Sequence, residues 1–158
     1  INAQNDLNEQ IKSHQKIISE TFSELDALRV LENKYYNTMD QNKLKFLQQN
    51  ISRAKSRGNK SWPMEINKYM AYEVGESQNW KCAITGVELE FTRGGTYFRN
   101  MWCNPNSCVI DRIDSSKGYT KDNIQLLTHK ANMWKSDFSN EELKQLCEQF
   151  LSTHNRKV

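Results

Sequence analysis

The chain is 158 residues long, 37% apolar and 26% charged, with a net charge of +3; that length suits one domain, or a small domain with an appendage. No apolar run approaches the roughly 20 residues a membrane helix requires. The opening INAQNDLNEQ has neither the basic start nor the apolar block of a secretory leader. The expectation is therefore a cytoplasmic protein with no membrane partner, and its four cysteines read as reduced thiols rather than disulfides. The chain begins without Met, as a processed chain or a piece of a longer one does.

Charge is uneven along the chain. Residues 1–50 hold six Lys and Arg against seven Asp and Glu, leaving 16 against 12 for the remainder. The excess concentrates in RAKSRGNK, Arg53 to Lys60, the kind of cluster a phosphate backbone recruits and a solvated loop also carries.

From Leu7 to Leu47 there is no Pro or Gly, and apolar residues recur three to four apart, among them Leu7, Ile11, Ile18, Phe22, Leu25 and Leu28. That spacing predicts a long amphipathic helix, broken near Asn37 to Asn42. Its stripe suits a coiled coil or an antiparallel helix pair, so residues 1–50 read equally as a helix packed on the body of the same chain or as a helical arm for dimerisation, larger assembly or docking. Residues 51–158 form the remaining domain.

Gly58 is expected to end the helix, and Ser61-Trp62-Pro63 to start another with Pro in its first turn. Met64 to Val74 reads as a short helix stopped by Gly75. In Lys81 to Phe91 a turn at Thr85-Gly86 leads into a strand where Val87 and Leu89 alternate with acids. TRGGTYFRNMWCNPNS, Thr92 to Ser107, is loop-like. Strands follow at Cys108 to Ile113 and Asn123 to Thr128, then a helix from about Lys130. The last helix opens on a capping box, Ser139 with Glu142, and carries an apolar stripe of Leu143, Leu146, Cys147, Phe150 and Leu151 that reads as structural. The fold class is α+β.

The run from Cys108 to Asp137 carries the chemistry. A hard divalent cation needs oxygen ligands, at least one charged, converging from separate elements. Asp111 at a strand end and Asn132 in the first turn of the next helix could supply a carboxylate and an amide oxygen, with Ser136 one turn further as a third ligand. Asn123 is placed to tie the intervening loop to the backbone.

These residues carry a family resemblance. The spacing of IDRID, GYT, NIQLL, AN and the following Lys resembles the HNH nucleases, with their ββα-metal motif. It is closest to the phage and mobile-element subgroup that reads DRIDSSKGY, N(I/V)Q, N.MK.D, EE and LC in order, and it covers roughly Ile51 to Phe150. The resemblance implies an HNH core with flanking helices, preceded by the arm. The activity it implies is DNA endonuclease action with Mg²⁺ or Mn²⁺, as in restriction, phage defence or a mobile element, in a bacterial or phage-infected cell. Asp111 and Asn132 resemble the metal ligands, and Asn123 the Asn that braces the loop within the catalytic motif.

Arg112 stands where most of the family has the His that deprotonates water. A guanidinium stays protonated and cannot be that base, but it can hold the scissile phosphate and offset transition-state charge. Proton acceptance then falls to a hydroxide on the ion, to His129, or to a tyrosine, Tyr97 ahead of Tyr119. Activity is expected to rise toward alkaline pH unless His129 is the base.

Arg53, Lys55, Arg57, Lys60, Arg93, Arg99, Lys117 and Lys135 are the candidate DNA-phosphate contacts. Trp62, Trp80, Trp102 and Trp134 read as core, with Trp102 the one to test against a base. Cys82, Cys103 and Cys108 could hold a structural Zn²⁺ with a fourth ligand, but Cys82-Ala-Ile-Thr85 lacks the second thiol of a knuckle and buried free thiols are the favoured reading. The competing function is a non-catalytic DNA-binding or assembly module on a degenerate form of the same fold.

Overall fold

The computed structural model describes residues 2–57, 63–94, 96–98 and 101–154, with side chains over 6–56, 63–94 and 103–154. Expectations resting on Gly58, Lys60, Trp62 and Arg99, and on the side chains of Arg57, Tyr97 and Trp102, lie outside the described residues. The chain divides into two compact units, Ile1–Met39 and Asp40–Val158.

The first unit is helix α1 (Asn2–Thr38), and the second begins with α2 (Gln41–Arg57). The break between them falls within the expected segment, and Asp40 explains it: its carboxylate accepts from the backbone N–H of Asn42 at 2.8 Å and Lys43 at 3.2 Å. An Asp in that position starts a new helix. Residues 40–50, which the sequence reading groups with the arm, cluster with the body instead. Leu44, Leu47 and Ile51 of α2 are sealed from solvent, and α2 packs on α3 (Lys68–Ser77).

Asn67 caps α3, accepting from the N–H of Tyr69 and Met70. The preceding segment is not the expected Pro-led helix start. Tyr119 donates its N–H to the Pro63 carbonyl and accepts from Glu65 N–H, both at 2.9 Å, so the segment runs extended beside Tyr119.

Gly75 does not stop α3 but lies within it. A Cβ there would fall inside the Trp80 ring, so the glycine is needed for the close approach of that ring. Trp80 follows Asn79 in the left-handed region, at φ 57° and 51°, which costs a bulky residue free energy. The ring's setting offsets that cost: edge-on contacts with Tyr72 at 4.7 Å and Phe91 at 5.5 Å, and the Lys43 ammonium 3.9 Å from its centroid.

The expected strand over Lys81–Phe91 is a turn with two isolated bridges, Lys81 to Glu88 and Glu90 to Ser107. Gly86 sits at φ 70° in that turn. The expected loop over 92–107 contains a small antiparallel hairpin, β1 (Thr96–Phe98) with β2 (Met101–Cys103).

The central hairpin forms as expected. β3 (Cys108–Arg112) pairs antiparallel with β4 (Ile124–Thr128), setting Cys108 opposite Thr128 and Asp111 opposite Gln125. Every β4 residue is buried, with α3 packed against it. Its outer edge is closed by a side chain: the Gln78 amide donates to Leu126 O at 2.9 Å and accepts from Leu126 N–H at 2.9 Å. An edge residue whose backbone groups are thus occupied offers no template to another strand.

Helix α4 (His129–Lys135) follows β4 directly, and α5 (Asn140–His154) closes the described chain, making the second unit α+β. The capping box forms: Glu142 accepts from Ser139 N–H and Oγ at 2.7 and 2.8 Å. The α5 stripe is not structural in the expected sense, since no α5 residue is buried and Phe150 is 60% exposed. The helix is tied down at its first residue, Asn140, and its later turns carry the stripe into solvent. Trp134 is likewise 51% exposed rather than core, lying under Lys130.

Because Trp80 occupies the space over Gly75, Gly75→Ala should lower the urea-unfolding free energy by about 2 kcal/mol through overpacking. Trp80→Leu should remove most of that penalty when combined with it, as a double-mutant cycle would measure.

Candidate active site

The loop joining β3 to β4 is held by one amide. Asn123 is buried, and its Nδ2 donates to the carbonyls of Asp114 at 3.0 Å and Gly118 at 2.8 Å while its Oδ1 accepts from Asp114 N–H at 3.0 Å. Three of the four bonds an Asn side chain can make are therefore spent on backbone. The contacts of Asn123 are those of the loop brace expected of it, and it does not line the cleft described below.

Asp111 sits near the end of β3. Its Oδ2 lies 3.1 Å from Lys135 Nζ and accepts from Gln125 Nε2 at 2.9 Å. Gln125 in turn forms a reciprocal amide pair with Asn140, at 2.7 and 2.9 Å. Both contacts fall on Oδ2, so Oδ1 is the oxygen this arrangement leaves for a cation.

Lys135 has no exposed side-chain surface, and besides Asp111 it donates to Arg112 O at 2.8 Å. The expectation that it contacts DNA phosphate is overturned. Its position at the end of the short helix α4 turns the stem inward against β3, where burying an ammonium requires a counter-charge. The pattern signal for this is weak, because an i+3 Lys after Asn132 fits a solvent face equally well.

A cleft of about 630 Å³ gathers most of the remaining candidates. Asp111, Asn132 and Ser136 line it together, supplying a carboxylate, an amide and a hydroxyl from β3, α4 and the residue after α4. Ser136 takes φ 51° with ψ −126°, a region that an L-residue occupies only under constraint. Asp137 brings a second carboxylate to the wall; it falls on the last letter of N.MK.D, but the sequence reading assigns it no role.

Arg53, Arg93 and Arg112 line the same cleft. Arg112 donates to Lys117 O at 2.9 Å, with its guanidinium 5.3 Å from the Tyr119 ring centroid. Arg93 stacks on Phe46 at 4.8 Å and approaches Asn50 Oδ1 at 3.4 Å. His129 and Tyr119 line the cleft as well. Lys55 and Lys117 do not; Lys117 instead pairs with Asp114 at 3.0 Å, holding that carboxyl, with the Ser116 hydroxyl as the larger influence, down to about 2.

The donor set on the cleft wall is of the hard-oxygen kind that Mg²⁺ or Mn²⁺ accepts. Among the described residues, no three His, Cys, Asp or Glu side chains converge as a metal group, and that includes Cys82, Cys103 and Cys108. The thiols differ in character. Burial pushes Cys108 up to about 12, with the neighbouring Cys82 adding to it. In Cys82 burial also raises the value, but hydrogen bonds from the Thr85 side chain and from backbone groups bring it below the usual thiol range.

Compared with known proteins, the chain matches no family profile, no curated protein and no solved structure. Among the described residues no helix is long and apolar enough to cross a membrane.

Removing one partner of a buried ion pair strands the other, so Lys135→Met should cost about 3 kcal/mol in urea unfolding, and adding Asp111→Leu should recover at least half. Cys108 gives a pH signature. Its folded value lies above the unfolded one, so its contribution to stability is complete below pH 9.0 and should be lost as pH rises toward about 12. Cys108→Ala should flatten that alkaline decline in thermal melts.

Proposed function

We propose that the second unit is a divalent-cation-dependent DNA endonuclease of the HNH type. The observation that carries this reading is the sharing of one cleft by the oxygen donors Asp111, Asn132 and Ser136 and the guanidinium groups Arg53, Arg93 and Arg112. Phosphodiester hydrolysis asks for both: a seat for a cation and positive charge for the phosphate. The sequence resemblance over the same residues supports the choice of DNA, with a cytoplasmic setting.

Asp111, Asn132 and Ser136 would hold the ion, which would supply Lewis-acid polarisation of the scissile phosphate and of the leaving 3′ oxygen. Arg112 donates to a non-bridging phosphate oxygen, held for that task by Lys117 O and the Tyr119 ring. Arg53 and Arg93 bind flanking phosphates, adding affinity without sequence information. His129, Tyr119 and the Asp137 carboxylate are cleft groups able to take the proton from attacking water; Arg112 cannot. Asn123 acts at a distance, by fixing the loop that carries the Arg112 partner.

A second reading has one observation in its favour. The Lys135 ammonium already meets the Asp111 carboxylate, so the site is electrostatically satisfied without an ion, as a DNA-binding or assembly module would need.

Supercoiled-plasmid nicking separates the two. With Mg²⁺ or Mn²⁺ the wild-type protein should nick, and Asp111→Ala should lose about 100-fold or more of that rate. Arg112→Lys, which keeps charge but loses the fork, should lose about 10-fold. Nicking by Asp111→Ala at the wild-type rate would reject the nuclease assignment; retention of DNA in a gel shift with no cleavage under either metal would favour the module.

A further inference from the structure

Helix α1 carries an apolar face that the first unit does not cover. Set Leu7 at heptad position d, and the positions facing a partner fall at 11, 18, 25 and 32 for a, and at 14, 21, 28 and 35 for d. Ile11, Ile18 and Leu25 occupy a, and Leu7, Leu28 and Tyr35 occupy d, each at least 46% exposed. The b, c and f positions from Glu9 to Asn37 are polar or charged except Ala27 and Val30. The seam therefore runs the length of the helix with a solvated back.

The flanking e and g positions identify what covers it. In a parallel in-register pair, each g residue meets the e residue five positions on in the partner helix. Along α1 those pairs set amide against amide, apolar against apolar and acid against base. Gln10 meets Gln15, Ile17 meets Phe22, Glu24 meets Arg29 and Leu31 meets Tyr36. An antiparallel pair sets g against g and e against e. No g position holds a cation to receive Glu24, and no e position holds an anion for Arg29. The pattern is thus self-complementary in one orientation and not in the other.

We infer that α1 pairs in parallel and in register with α1 of a second copy of this chain, forming a two-stranded coiled coil through Glu24–Arg29 contacts on both sides. Ile at two a positions with Leu at two d positions is the arrangement that favours two strands. Arg29 is available for the contact: its bond to Asp26 is 3.4 Å long, with both side chains 74% exposed, a pairing that contributes little on its own. The seam has three polar positions, His14 and Thr21 at d and Glu32 at a. Thr21 satisfies its hydroxyl on Ile17 O at 2.8 Å, and Glu32 accepts from the Tyr36 hydroxyl at 3.0 Å. Two Glu32 carboxylates meeting in one a layer weaken the pair but fix its register, as a single polar a position does.

Sedimentation equilibrium on the full chain tests this, and the substitutions lie on an exposed helix where they do not threaten the body's fold. The wild-type chain should sediment as a concentration-dependent dimer. Glu24→Arg and Arg29→Glu should each weaken self-association by about tenfold, since each turns two attractive contacts repulsive. An equimolar mixture of the two variants should return to wild-type affinity. In that mixed pair the arginine introduced at position 24 of one chain faces the glutamate introduced at position 29 of the other. Glu32→Leu should tighten the dimer. A monomer at about 100 µM, a trimer or tetramer mass, or a mixture no tighter than either variant alone would each overturn the inference.

Discussion

An ammonium without any exposed surface, set against a carboxylate on the neighbouring strand, is the interaction on which the geometry of the second unit's cleft depends. Lys135 reaches from the last turn of α4 to Asp111 and to the backbone of Arg112, fastening helix to hairpin at the point where the two candidate functional side chains emerge. Gln125 and Asn140 extend the same constraint to β4 and to the start of α5. Three elements therefore meet at one carboxylate oxygen, and α5 joins them through Gln125. Such a network is costly to assemble and costlier to break, because each polar group removed leaves another buried without its partner.

The same pairing shapes what the site can do. One oxygen of Asp111 is committed to the protein, so its carboxylate can offer a cation one oxygen in a fixed direction. Arg112 brings to the cleft a planar donor fork that cannot accept a proton. The cleft consequently sets three guanidinium groups beside the His129 imidazole, the Tyr119 phenol and the Asp137 carboxylate.

How much of this can be read from the sequence varies with the range of the interaction. The β3–β4–α4 succession, the capping box at Ser139 and the break before Asp40 are local, written in periodicity and cap residues, and they appear where expected. Asn123 is legible as a loop brace because its partners lie within nine residues. Gly75 misleads as a helix stop, since its reason is an aromatic ring that returns only after the helix has ended. Lys135 misleads for a similar cause: a charged residue at helical spacing looks solvated until the strand that receives it is in place. The α5 stripe shows the converse, a periodicity that forms its helix without specifying anything to cover it.

One further consequence follows from where the cleft's parts originate. Asp111, Arg112, Asn132 and Ser136 come from a single run closed by a short hairpin, whereas Arg53 rides on α2 and Arg93 on the loop before β1. The candidate cation donors thus lie close together in the sequence, while two of the cleft's three guanidinium groups come from distant segments. Drift in α2 or in that loop can therefore change the charge of the cleft while those oxygen donors stay untouched.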